Sequence, residues 1–235
     1  MSTRSERGPQ LVVLRHGSSV SNESQRFGGW EDVELSDLGV RQAKEAGRML
    51  REAGVRFDIA FSSALVRALA TLHHCLSEMR LAAIPSVADW RLNERHYGAL
   101  QGMSKPEAER LFGAEQVFRW RRGFRDRPPL LTPGEPRDSR TSPRYAALQP
   151  HQIPLGESLC DAHGRVKQCW ATSIEPELAQ GRTVLIVAHG NSIRVLRMLI
   201  EGIGEHKIRE IEVPHATPMT YRFCRETALL HRIPA

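Results

Sequence analysis

The chain has 235 residues, 40% apolar and 26% charged, with a formal net charge of +6. That length suits one domain, with or without an insertion, and no apolar run approaches the roughly 18 residues a membrane helix needs. The polar opening "MSTRSERGPQ" lacks the apolar core of an export signal, so a disordered lead over 1–9 and a cytoplasmic location are expected.

In chain order, "QLVVLR" (10–15) is a short Val- and Leu-rich run, the mark of a strand buried on both faces. "ELSDLGVRQAKEAGRMLREAG" supplies Ser36 as an N-cap, apolar residues at helical spacing from Val40 to Ala53, and Gly54 as a stop. "FDIAFSS" (57–63) reads as a strand running into a helix from about Ala64 to Met79, with Arg67 in its first turn. "SKPE" (104–107) matches a capping box with proline in the first turn. From about Gly123 to Pro154 the chain is rich in Pro, Arg, Ser and Thr, so an inserted lid over about 104–158 is expected. "ESLCDAHGRVKQCWATSI" suggests an amphipathic helix, "TVLIVA" (183–188) a strand, and "NSIRVLRMLIEGI" a helix; "REIEVP" and "MTYRFC" look like strands. The alternation implies one domain over 10–235 with a three-layer α/β/α fold on a mostly parallel sheet.

Cys75, Cys160, Cys169 and Cys224 have neither CxxC nor His-paired spacing, which argues against zinc and suits free thiols in a reducing compartment. The positive charge comes largely from arginine. No basic tail, helix-turn-helix pattern or aromatic interleaving supports nucleic acid. Convergence of the arginines on a small, highly charged anion is the remaining functional reading.

Two of the strands stop at His-Gly: "LVVLRHG" and "VLIVAHG". Ligands of such sheets bind beyond the carboxyl ends of the strands, which brings His16 and His189 to one edge. Glycine after each histidine permits a sharp turn and close approach to a ligand. The helix opening near Asn191 aims free N–H groups at the same place. Neutral imidazole is a good nucleophile, and phosphoryl transfer needs fixed positive charge of the kind Arg15 and Arg67 supply. Glu94, in "RLNERHYG", is placed in a loop where it can serve as general acid.

The segments "LRHGSSVSN", "RFGGWEDVELSDLG", "FDIAFSSALVRA", "WRLNERHYGALQGMSK", "FRWRRG", "GESL" and "VLIVAHGNSIR" resemble the histidine phosphatase superfamily, and within it the bisphosphoglycerate-dependent phosphoglycerate mutases. The resemblance covers about residues 10–223. It implies that His16 becomes phosphorylated, that Arg15, Arg67 and His189 bind the phosphoryl group, and that Glu94 gives and takes the proton. It further implies substrate contacts from Asn22, Gly28, Gly29, Tyr97, Lys105, Arg121, Arg122, Gly190 and Asn191. The implied primer is 2,3-bisphosphoglycerate, with no metal, no nucleic acid and no membrane; relatives of this kind form homodimers or homotetramers.

Four departures stand out. Ser18 and Ser21 replace the usual Glu and Trp, and Gly28 replaces a hydroxyl residue. "VPHATP" (213–218) replaces a typical "LPTGIP", putting Ala216 where glycine is usual. Little chain follows Cys224, so the closing basic tail is expected to be short. The mutase motifs point to interconversion of 3- and 2-phosphoglycerate; the short tail and Ser18 point to the alternative, hydrolysis of small phosphomonoesters. An inactive phosphometabolite-binding module fits least, since every core catalytic residue is present. Ser18 has no base beside it and reads as a phosphate neighbour or a spacer rather than a nucleophile.

Overall fold

The apolar runs at 10–15 and 183–188 become the two central strands of a mixed sheet. A computed structural model describes residues 8–224 and 226–233; the greater part of the expected lead, 1–7, lies outside them. In chain order the elements are β1 (Gln10–Arg15), α1 (Asp37–Glu52), β2 (Ile59–Ser62), α2 (Val66–Glu78), β3 (Ser86–Ala88), α3 (Lys105–Phe112), α4 (Ala114–Arg122), α5 (Leu159–Cys169), α6 (Glu175–Ala179), β4 (Val184–Ala188), α7 (Gly190–Glu201), β5 (Met219–Cys224) and β6 (Leu229–Ile233). The strand order is β3-β2-β4-β1-β5-β6. Strands β3, β2, β4 and β1 run parallel, and β5 and β6 are antiparallel to their neighbours.

Period-two alternation divides the central strands between two cores. Leu11, Val13, Ile59, Phe61, Val184 and Ile186 pack with Leu159, Val166 and Cys169 of α5 and Ile193 and Leu196 of α7. Val12, Leu14, Ala60, Leu185 and Val187 pack on the other face with Ala46 and Leu50 of α1 and Ala68, Leu72 and Leu76 of α2. Each fully buried large aliphatic side chain contributes about 1.5–3 kcal/mol, so helices on both faces are required to cover this sheet. The three-layer expectation holds.

One local reading is corrected. "REIEVP" is no strand: Glu205–Glu210 is a 3₁₀ helix, and an irregular segment follows it. The carbonyls of Ile211 and Val213, which a ladder would use, instead accept from Arg194 Nε at 2.8 Å and Arg15 Nη1 at 2.7 Å. The helix expected at "SKPE" is α3, capped by Ser104, and α3 and α4 carry Lys105, Arg121 and Arg122. Among the described residues after Cys224, β6 pairs with β5 at the sheet edge, and none of its residues lines the cleft.

Candidate active site

Residue pairing explains why the chain builds two His-Gly corners. In the β1–β4 register Arg15 faces Ala188, and the His16 N–H donates to the Ala188 carbonyl at 3.0 Å. The next residue on each strand is therefore a histidine at the same edge, and the two rings lie 4.9 Å apart. Strand β2, on the other side of β4, ends one residue before Ser63, whose Oγ lies 2.7 Å from His189 Nε2. Ser63 is fixed in turn by Asn93 Oδ1 at 2.8 Å. Ser63 Oγ donates to Asn93, so His189 Nε2–H donates to Ser63, and the buried Nδ1, which has no partner in the protein, carries the lone pair of a neutral ring.

His16 is 3% exposed, and its Nδ1 lies 2.6 Å from the Gly17 carbonyl. An acceptor there requires Nδ1–H, which leaves the lone pair on Nε2. Burial first, then the charges of Arg67 and Arg15, push the imidazole well below its usual pKa. His16 is thus a neutral nucleophile in a cationic setting. Burial first, then Arg67, His16 and Arg15 in that order, push His189 down likewise.

Gly17 corrects the idea that both glycines serve a ligand. A Cβ there would lie 2.3 Å from the Gly39 carbonyl of α1, and Gly17 does not line the cleft, so its role is packing. Gly190 does line it. Gly29 is required twice over: its φ is +50, and a Cβ would lie 2.1 Å from Gln101 Oε1.

A cleft of about 230 Å³ opens above the strand ends. Arg15, His16, Asn22, Gly28, Gly29, Arg67, Glu94, Tyr97, Lys105, Arg121, Arg122, Gly190 and Asn191 all line it, while His189 lies fully buried behind His16. At the His16 end, Arg67 is held by the carbonyls of Gly29 (2.7 Å) and Glu31 (2.8 Å), and burial lowers its pKa to about 10. Arg15 Nη1 is tied to Val213, and its buried Nε has no protein partner. Burial, then the charge of Arg121, lowers the pKa of Lys105.

Glu94 reaches the cleft through its loop's anchors. Its carbonyl accepts from Trp30 Nε1 (2.6 Å) and Arg165 Nη2 (3.0 Å), and its Oε1 accepts from the backbone N–H groups of Arg95 (2.7 Å) and Asn191 (3.2 Å). The Asn191 N–H belongs to the first turn of α7, so that helix end orients the carboxyl group. The Tyr97 hydroxyl accepts from Asn191 Nδ2 (3.1 Å) and Arg95 Nη2 (3.2 Å), which turns its own proton away from both.

Sequence reasoning missed Arg194, Glu212, Ser19, Arg26 and Phe27 as cleft residues and Arg165 as the anchor of the Glu94 loop. Arg194 lies one turn beyond Gly190 on α7, a spacing that could have flagged it; Arg165 carries no such signal. Ser18 is buried with its N–H on Gln42 Oε1 and is a spacer. Ser21 lines the cleft beside Gly28, from whose ideal Cβ its own Cβ lies 3.6 Å away, so small residues form that wall. Ala216 adopts φ 47, the left-handed conformation glycine would take freely, and its N–H caps the Arg15 carbonyl at 3.0 Å. His215 Nδ1 lies 2.9 Å from the His16 carbonyl, and its ring meets that of His16 edge-on at 5.4 Å. Among the described residues no cluster of His, Cys, Asp or Glu could hold a metal, and no helix is long and apolar enough to cross a membrane.

Comparison with solved structures returns the same architecture. Mycobacterial glucosyl-3-phosphoglycerate phosphatase is 24% identical, with 96% of each chain covered and a TM-score of 0.68. The YhfR protein of Bacillus stearothermophilus is 21% identical, with 95% of each chain covered and a TM-score of 0.72. The α-ribazole phosphatase of Shigella flexneri is 21% identical, with 96% of each covered and a TM-score of 0.71. The family model described as histidine phosphatase superfamily (branch 1) matches residues 11–142 and 133–233, so between them the matches span both histidine corners and the whole sheet. The chain belongs to that superfamily.

Proposed function

We propose that the protein is a phosphatase that removes, through a phosphohistidine on His16, the phosphoryl group of a small ester bearing a second anionic group. The observation that carries this reading is a cleft of about 230 Å³ lined by more cations than one phosphoryl group needs: Arg15 and Arg67, whose charges act on His16, and Lys105, Arg121, Arg122 and Arg194, which we place at the far end. That volume is below the roughly 300–1,000 Å³ of drug-sized sites, and it suits an ester of phosphoglycerate size. The names of the similar solved structures, glucosyl-3-phosphoglycerate phosphatase and α-ribazole phosphatase, support hydrolysis.

In the first step His16 Nε2 attacks phosphorus and the P–O ester bond breaks. The charge on the phosphoryl oxygens is met by Arg15 and Arg67, and Glu94 gives its proton to the leaving oxygen. In the second step water attacks the phosphohistidine, Glu94 takes the water proton, and the N–P bond breaks to release phosphate. The charge balances in each step without a metal.

Mutase transfer is the second reading, favoured by the distribution of cations. A bisphosphorylated species such as 2,3-bisphosphoglycerate fits a cleft that can hold phosphate at either end, with Arg15 and Arg67 near His16 and Arg121 and Arg122 at the far end. One experiment separates the readings. The protein is incubated with 2,3-bisphosphoglycerate and 3-phosphoglycerate, and phosphate release, 2-phosphoglycerate formation and the labelled residue are measured. Acid-labile label on His16 with phosphate release exceeding 2-phosphoglycerate formation is expected. Dominant 2-phosphoglycerate formation would move the assignment to mutase, and label on any other residue would overturn both.

A further inference from the structure

The cleft contains one carboxylate that the phosphoryl-transfer scheme does not use. Glu212 lines it, and its Oε1 lies 3.1 Å from Arg122 Nη2, with the glutamate side chain 74% exposed and the arginine 22%. Its position is built in. The neighbouring carbonyls of Ile211 and Val213 accept from Arg194 and Arg15, and the Glu212 carbonyl faces Arg197 Nη1 at 3.5 Å. Backbone pinned on both sides holds the carboxylate beside Arg122. Arg122 Nη1, on the same guanidinium, is buried and has no protein partner.

An ion pair so exposed is worth little, typically ~0.2–1 kcal/mol. A ligand anion that also reached Arg121 and Arg194 would outcompete a single tethered carboxylate. A ligand with a neutral far end would leave the pair intact. These relations rest on the far-end cation cluster of the proposed function.

We infer that Glu212 is a specificity-determining residue, an internal competitor that occupies Arg122 until the second anionic group of a substrate displaces it. Glu212 thereby lowers affinity for doubly anionic ligands and leaves singly anionic ones nearly untouched. Removing its charge should therefore tighten binding of one class only.

The test measures dissociation constants in a His16→Gln background, where no phosphoryl transfer occurs. The probes are 2,3-bisphosphoglycerate, 3-phosphoglycerate and, as the singly anionic case, methyl phosphate. Glu212→Gln should bind the first two about two- to fivefold more tightly, since a pair worth up to about 1 kcal/mol corresponds to about fivefold when 1.4 kcal/mol is tenfold, and methyl phosphate within 1.5-fold of the parent. Equal tightening of all three probes would make Glu212 a general electrostatic contributor and overturn the competitor role. Arg122→Ala should weaken the doubly anionic probes, and in that background Glu212→Gln should lose its effect. If Arg122→Ala weakens them but Glu212→Gln changes nothing, Glu212 alone is misassigned. If neither variant changes binding, the far-end anion reading falls with it.

Discussion

His16 shows how one residue's chemistry is set by everything around it. The Gly17 carbonyl fixes which nitrogen carries the proton, and burial with two arginines keeps the ring uncharged. The nucleophile is therefore ready, and the barrier that remains lies in the leaving group. An alkoxide is a poor leaving group, and Glu94 is the cleft carboxylate whose loop and first-turn anchors hold it toward the reacting end. Glu94→Gln should lower turnover by roughly two to four orders of magnitude, the usual size of a general-acid contribution. KM should change less than tenfold, because the amide keeps the shape and can still accept the same backbone N–H bonds. Steady-state kinetics with 3-phosphoglycerate decides it, and a loss confined to KM would make Glu94 a binding residue.

At the scale of elements, the Glu94 loop is held by a buried ion pair. Arg165 of α5 bonds Glu157 through Nε at 2.7 Å and Nη2 at 2.9 Å, with both side chains below 10% exposed, and its remaining N–H groups donate to the carbonyls of Arg91, Asn93 and Glu94. Glu157 also accepts the His96 N–H at 2.8 Å. Replacing one member of such a pair leaves a buried charge and typically costs ~3–5 kcal/mol. Arg165→Met should thus lower stability by about that amount in urea unfolding and reduce turnover of the surviving folded fraction, since Glu94 loses a carbonyl anchor. Unchanged stability would show that the loop is anchored elsewhere. None of this was legible from sequence, because an Arg in an amphipathic helix has a solvated default and only the tertiary fold brings it to residues 91–94. What was legible were the elements whose apolar pattern decides their place: β1, β4, α1, α2 and α7, and with them His16, His189 and Arg67. Strand β3, exposed at every residue, and β6, mostly exposed at an edge, give no burial pattern to read. The alternation in "REIEVP" is real, with Ile211 and Val213 buried, but arginines rather than a neighbouring strand take its carbonyls.

For the whole molecule, concentrating histidines and arginines at one sheet edge carries a cost in acid. His16 and His189 are held well below the ordinary histidine value, and His96 and His215 are lowered to about 4, burial being the leading cause for all four. In the unfolded chain each titrates near 6.5. Their folded values are depressed, so this contribution to stability is fully present above about pH 6.5. As pH falls from 6.5 toward 4 the unfolded state takes up protons that the folded state refuses, and stability is lost. Each such group contributes a slope of up to about 1.4 kcal/mol per pH unit in that window, less for the partly exposed His215. The carboxylates act lower: Asp138, held well below the ordinary carboxylate value chiefly by the hydrogen bonds from Arg140, loses its contribution only as pH falls below that ordinary value. Urea unfolding in phosphate-free buffer should therefore show stability nearly level from pH 8 to 7 and falling steeply from 6.5 to 4.5. His96→Gln should flatten that fall by about one group's share while leaving the level above pH 7 free to move either way. A profile flat down to pH 4.5 would mean that the buried rings accept protons in the folded state, and the neutral His16 on which the phosphoryl-transfer scheme rests would have to be abandoned.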